Sequence, residues 1–216
     1  MTWGVLLTTE DGVPFLTDES TPISLQGKYS ASGSGNVSVT ITVDTDDVAM
    51  PFCVSTADTF FAYSLSGTSL TVTAYPISTF SGSYTLTCYL FTTRAQPLPG
   101  WGLAIWDKNG KCILTNETRV LTDIVSIGTK GGANSGLNLS DTRSGKWGII
   151  PELAGFYVGV YQQRPFQIGI GMAAKYNGTS TVIHPVMSVP VPVGGQLGTP
   201  LDAKTVVRAI DLSKYD

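Results

Sequence analysis

Histidine, charge, paired cysteines and long apolar runs are all scarce in this chain of 216 residues. The single histidine, His184, excludes metal sites built on several imidazoles and leaves one side chain of that type for general base work. No G-x-S-x-G elbow is present, and Pro185 follows the histidine directly, so His184 reads as a strand-end residue without a catalytic task. No enzyme activity and no cofactor are expected. Charged residues make up 13% of the chain, with a net charge of −3 and a pI near 5.1. That balance offers no basic footprint for nucleic acid, and the scattered Lys and Arg form no amphipathic membrane surface. No apolar run approaches a membrane span, and Met1-Thr2-Trp3 does not open a signal peptide, so synthesis and retention in a cytosol are expected. Cys53, Cys88 and Cys112 are odd in number and lack C-x-x-C spacing, which favours buried free thiols, with a Cys53–Cys88 disulfide as the alternative.

Glycine, by contrast, is abundant at 24 residues, and Ser and Thr crowd the sequence, a composition of strands and turns. One stretch occurs twice. Trp3-Gly4-Val5-Leu6-Leu7-Thr8-Thr9-Glu10-Asp11-Gly12-Val13-Pro14-Phe15-Leu16-Thr17 returns, 98 residues on, as Trp101-Gly102-Leu103-Ala104-Ile105-Trp106-Asp107-Lys108-Asn109-Gly110-Lys111-Cys112-Ile113-Leu114-Thr115. Each copy holds a hairpin dipeptide at the same place, Asp11-Gly12 and Asn109-Gly110, whose residues accept the positive φ angles of a two-residue turn. Trp3, Val5 and Leu7 alternate along the incoming strand, as Trp101, Leu103 and Ile105 do, so one face of each hairpin is expected in a core. An isolated hairpin is marginal, so each should open a larger sheet. The reading is two tandem antiparallel β-sandwich-like (immunoglobulin-like) domains, at 1–96 and 97–216, joined by the Pro- and Gly-bearing residues 94–100.

Between the repeats, residues 27–36 read as a polar loop, and 37–43 as the clearest half-buried strand, with strict alternation over Val37, Val39, Ile41 and Val43. Further strands are expected near 52–56, 59–65, 69–75 and 84–92. In the second half, strands are expected at 120–127, 156–161, 166–173, 181–183 and 206–211, with an extended edge segment at 185–192 because of its prolines. Residues 128–148 form a long Gly-, Ser- and Asn-rich loop without a counterpart in the first half, the kind of segment that carries function. No segment shows helical periodicity.

Few residues suggest chemistry. Gly169-Ile170-Gly171-Met172-Ala173-Ala174 matches a nucleotide-binding fingerprint in form, but a turn and not a helix follows, so close strand packing explains the glycines better. Asp44, Asp46 and Asp47 suit a weak calcium site or a solvated turn, the turn being preferred. Trp106 and Trp147 have no tryptophan partner in the first copy. With Tyr157 and Tyr161 they are the candidate residues for binding a partner or a sugar, against core packing as the plain alternative.

The segment from Gly100 to Leu114, and its counterpart from Trp3 to Thr17 followed by Ser20-Thr21-Pro22, resembles the opening of small β-rich proteins encoded among the tail genes of tailed bacteriophages. The resemblance covers about 15 residues of each half. It implies a structural component of the virion tail, at the tail tip or fibre, assembled in the host bacterial cytoplasm from contacts with other tail proteins in a symmetric oligomer. A module binding a host receptor or carbohydrate is the second implication. No catalytic residues come with the resemblance.

Overall fold

The computed structural model describes the backbone of residues 7–8 and 14–16, and residues 21–187, 189 and 193–216. The chain is all-β. Strands β1 (Leu7–Thr8) and β2 (Pro14–Leu16) pair as a two-stranded antiparallel sheet. They are followed by β3 (Ser24–Gly33), β4 (Val37–Thr42), β5 (Ala49–Ser55), β6 (Thr59–Ser66), β7 (Ser69–Pro76) and β8 (Tyr84–Thr92). A second two-stranded sheet is formed by β9 (Ala104–Trp106) and β10 (Cys112–Thr115). The remaining strands are β11 (Val125–Ile127), β12 (Asp141–Ser144), β13 (Trp147–Ile149), β14 (Leu153–Tyr161), β15 (Arg164–Tyr176), β16 (Ser180–Met187), β17 (Gln196–Leu197), β18 (Leu201–Asp202) and β19 (Val207–Asp211). Single 3-10 turns occupy Gly136–Asn138 and Leu212–Lys214.

All strands outside the two hairpins join one large sheet, which folds back on itself as a two-layer sandwich. In one layer β8 lies between β3 and β5, and β5 leads through the bridge Cys53–Ile149 to β13, β19 and β11. In the other, β4, β7 and β6 meet β15 at Phe60–Ala173, and β15 pairs with β14 along one half and β16 along the other. Alternation explains the assignment of faces. Val37, Val39 and Ile41 of β4 turn inward onto Leu86, Cys88 and Leu90 of β8, while Ser38 and Thr40 stay outside and bond Thr73 and Thr71. Pairing and core both cross residues 96 and 97: Ile127, Ile149, Met172, Ile183 and Ala209 pack in the same cluster as Val72 and Leu86.

Strand β8 is buried on both faces. Its Tyr89 and Phe91 point away from the main core into a second cluster with Phe52, Val54, Ile210, Leu212 and Tyr215, so the last residues of the chain cover the outside of that layer. Tyr215 stands edge-on to Phe91 with ring centroids 4.8 Å apart.

Several expectations need correcting. Residues 27–36 are not a loop for most of their length; β3 runs to Gly33, because Tyr29 and Ala31 pack on the core, although the glycines and polar residues around them make the segment read as a loop. The strand expected over 120–127 is only β11, with Val120 contributing a single bridge to Ser24. The expected loop at 128–148 contains β12, which extends the sheet by pairing with β16, and the start of β13. Pro185 sits inside β16, opposite Met172, beyond the stretch where β12 occupies the other edge, so its missing N–H leaves no ladder bond unmade.

Candidate functional site

The repeated hairpins match in detail. Leu7 pairs with Leu16 and Thr8 with Pro14; 98 residues on, Ile105 pairs with Leu114 and Trp106 with Cys112, with the register slip at the corresponding place. The turn of the second hairpin is longer than the dipeptide suggests. Gly110 N–H donates to the Asp107 carbonyl, the Asp107 carboxylate accepts from Asn109 and Lys111 N–H, and only Gly110 has positive φ, at 80°. A type I turn followed by a glycine bulge forms in place of the two-residue turn. The first turn dipeptide, and Trp3 and Val5, lie outside the described residues.

The Trp-Gly pair has a local cause in the second copy. Gly102 has φ of 120°, and a Cβ there would lie 2.6 Å from Asn116 Cγ, whose Oδ1 accepts from Leu103 N–H at 3.1 Å. Gly4 and Asp18 hold the corresponding positions in the first copy.

Of the face expected in a core, Trp101 and Leu103 are exposed, contrary to expectation, and Ile105 is half-buried. Trp101 is 83% exposed, Leu103 60% and Trp106 51%, with Leu98 also exposed. The opposite strand does the packing: Cys112 and Ile113 are buried, the Cys112 carbonyl accepts from Gln96 N–H, and the Gln96 amide donates to Ser24 Oγ at 2.8 Å. Residues expected as a linker therefore clamp the hairpin to β3, and Trp101, Leu103 and Trp106 are left exposed.

A second feature lies on β14, β15 and β16. A cavity of about 470 Å³ is walled by Leu137, Ile170, Pro185, Met187 and Pro200, with Tyr157, Asn138 and Asp202 as its polar groups. Leu137 and Asn138 come from the 3-10 turn within the segment singled out at 128–148, which makes that segment a wall of the cavity. Asp202 holds the turn: its Oδ1 accepts from Leu137 and Lys204 N–H, and Lys204 Nζ lies 2.9 Å from Oδ2, which keeps the carboxyl below its usual range. Gly136, with φ of 53°, leaves the room that the Asp202 carboxylate fills. No other described residue bonds the Tyr157 hydroxyl or the Asn138 amide.

The four residues singled out from sequence do not converge. Trp106 is on the separate hairpin. Trp147 is half-buried, donates to the Ser144 carbonyl and lies under Arg143, 4.8 Å from the ring centre. Tyr157 lines the cavity, and Tyr161 closes β14 at the turn formed by Gln162 and Gln163. His184 Nε2 donates to one Asp58 carboxylate oxygen, 2.9 Å away, while Lys175 donates to the other at 2.7 Å. Burial raises the Asp58 carboxyl, but hydrogen bonds and charge from Lys175 and His184 outweigh it and leave its pKa lowered. Asp58 and Lys175 carry no sequence signal linking them to His184; β15 brings them together across Ala173.

Asp44, Asp46 and Asp47 do not converge either. Asp47 turns to Lys111 and Thr93, and no group of three candidate ligands for a metal exists among the described residues. Gly169 and Gly171 lie within β15, and Gly171 is where Phe60 crosses: a Cβ added there would lie 2.6 Å from the Phe60 ring. Cys53 and Cys88 face each other as buried free thiols, and burial raises the Cys53 thiol well above its usual range. No family model, curated protein or solved structure matches the chain.

Proposed function

We propose that the protein is a non-enzymatic structural component of a bacteriophage virion tail, at the tail tip or fibre, which works by docking onto other tail proteins. The observation that carries the docking reading is the hairpin: Trp101 and Leu103, on the segment that leads into β9, and Trp106, at the end of β9, stand in solvent, while the partner strand β10 is anchored in the body. Exposed aromatic residues on a rigid support are the usual anchors of protein interfaces. The resemblance of this hairpin to phage tail proteins supplies the setting, including assembly in the host bacterial cytoplasm. Neither a nucleic-acid partner nor a cofactor is part of this reading.

The test is made in virions. Removing the protein should remove density from the tail and lower infectivity, and Trp101→Asp should prevent its incorporation while leaving the isolated protein folded. Intact, infectious tails without missing density would refute the reading.

The cavity at Tyr157 favours a second reading, attachment to a host receptor or glycan, because an unpartnered phenol and amide over apolar walls suit a small neutral ligand. A binding screen against host surface glycans and outer-membrane proteins separates the two, since an architectural protein binds none of them.

A further inference from the structure

We infer that Cys53 and Cys88 are a redox-sensitive pair, which closes into a cross-strand disulfide in oxidising surroundings and locks β5 to β8. The ladder sets their geometry. The two residues are direct partners, in a register that runs without a slip from Ala49–Thr92 to Ser55–Leu86. Antiparallel partners alternate between hydrogen-bonded pairs and closer, non-hydrogen-bonded pairs, whose Cα atoms lie about 4.5 Å apart. Thr56 N–H donates to the Thr85 carbonyl at 3.1 Å, and Thr93 N–H to the Val48 carbonyl at 3.3 Å. Thr56 and Val48 therefore belong to bonded pairs, and each is an odd number of residues from Cys53. Pro51, which has no N–H to give, falls in the same class as Cys53.

Cys53 and Cys88 are thus a non-hydrogen-bonded pair. The backbone groups of Cys53 turn to the other edge of β5, where it meets Ile149. A disulfide spans Cα atoms about 4.4–6.8 Å apart, a requirement that this class of pair meets. Both side chains stand on the inner face of the layer, in the main core cluster. Cys112 lies on β10 outside that cluster, which leaves it as the odd thiol.

Closure needs an oxidant, here a small-molecule disulfide such as oxidised glutathione. One protein thiolate attacks it, releasing a first small thiol and leaving a mixed disulfide on the protein. The second thiolate attacks the protein sulfur of that intermediate and releases the other small thiol, so two electrons and two protons pass from the pair to the oxidant. Both cysteines are 0% exposed, and burial holds the Cys53 thiol protonated. Exchange therefore takes place before β5 and β8 close, or waits on their opening. The same burial shields the bond once it has formed. Thiols persist when the chain folds in a reducing compartment, and the bond when it folds in an oxidising one. The bond closes a loop that contains β6 and β7, so it ties that hairpin to the layer of β5 and β8 and restricts the unfolded chain.

The test is an equilibrium between the protein and glutathione buffers of graded redox ratio, in native conditions and in urea. Native samples are refolded into each buffer from oxidised and from reduced protein, alkylated, and mapped by peptide mass. Cys53 should be joined to Cys88 with Cys112 alkylated, and the near-UV circular dichroism of the oxidised protein should stay native. Half-oxidation should fall at a ratio roughly a hundredfold more reducing in native conditions than in urea, the factor by which a bond suited to the fold is favoured over the same bond in the unfolded chain. A native midpoint equal to the urea midpoint, or more oxidising, overturns the inference. So does a main product that joins Cys112 to either partner, or an oxidised protein that has lost its near-UV signal.

Discussion

Replacing Tyr215 by alanine removes the ring that closes the outer face of the layer formed by β5, β8 and β19. Tyr215 is 4% exposed and packs edge-on against the fully buried Phe91. Its hydroxyl accepts from Thr122 N–H at 2.9 Å and donates to the Val120 carbonyl at 3.1 Å, tying residues 120–122 to the same cluster. Truncating a buried aromatic side chain costs about 3–5 kcal/mol. The two hydrogen bonds add about 1 kcal/mol each at most, less where water replaces them. A total of about 4 kcal/mol is expected for Tyr215→Ala and about 1–2 kcal/mol for Tyr215→Phe. Equilibrium unfolding in urea measures both, with the midpoint falling and the slope unchanged. Amide exchange at Tyr89 and Phe91 should quicken in the alanine variant. A cost below about 1 kcal/mol for Tyr215→Ala would show that the second cluster is not a sealed core, and that β8 is held from one side only.

The turn between β14 and β15 places Gln162 and Gln163 at φ of 47° and 63°, where L side chains are strained. Gln163→Gly should therefore raise stability by about 0.5–1 kcal/mol, read as a higher melting temperature, and a loss would show that the left-handed turn is not formed. Asp216 makes hydrogen bonds with Lys28, Tyr89 and Lys146, and although burial opposes ionisation, these partners hold its carboxyl down to about 2. Asp58 is likewise lowered. Carboxyls depressed in the folded state stabilise it above their unfolded pKa, so stability should be full above about pH 4 and fall as pH drops toward the folded values. For Asp216, 38% exposed, solvent screening reduces the contribution to about 1 kcal/mol, and Asp216→Asn should flatten the acid limb of a stability–pH curve by that amount.

Much of the local structure was legible in the chain itself. Strict alternation marked β4, turn residues delimited β6, β7 and β8, and the repeated Trp-Gly stretch located two hairpins of identical register, because strand period and turn chemistry are properties of neighbouring residues. Local signals reach no further than that. Trp101 and Leu103 alternate as core residues do, yet the buried face of the hairpin belongs to Cys112 and Ile113, since Gln96 and Ser24 clamp the return strand to the body. The repeat likewise suggested two units divided at residue 97, whereas Cys53 pairs with Ile149 and Phe60 with Ala173 across that point. Of the candidate residues, the exposure of Trp106 and the place of Tyr157 in a cavity came from tertiary packing alone, as did Asn138, Met187 and the Asp58–His184–Lys175 cluster. Sequence by itself determined that this chain would be β-structure with duplicated hairpins. Which face of each strand is buried depends on segments distant in the sequence, and only the tertiary structure decided it.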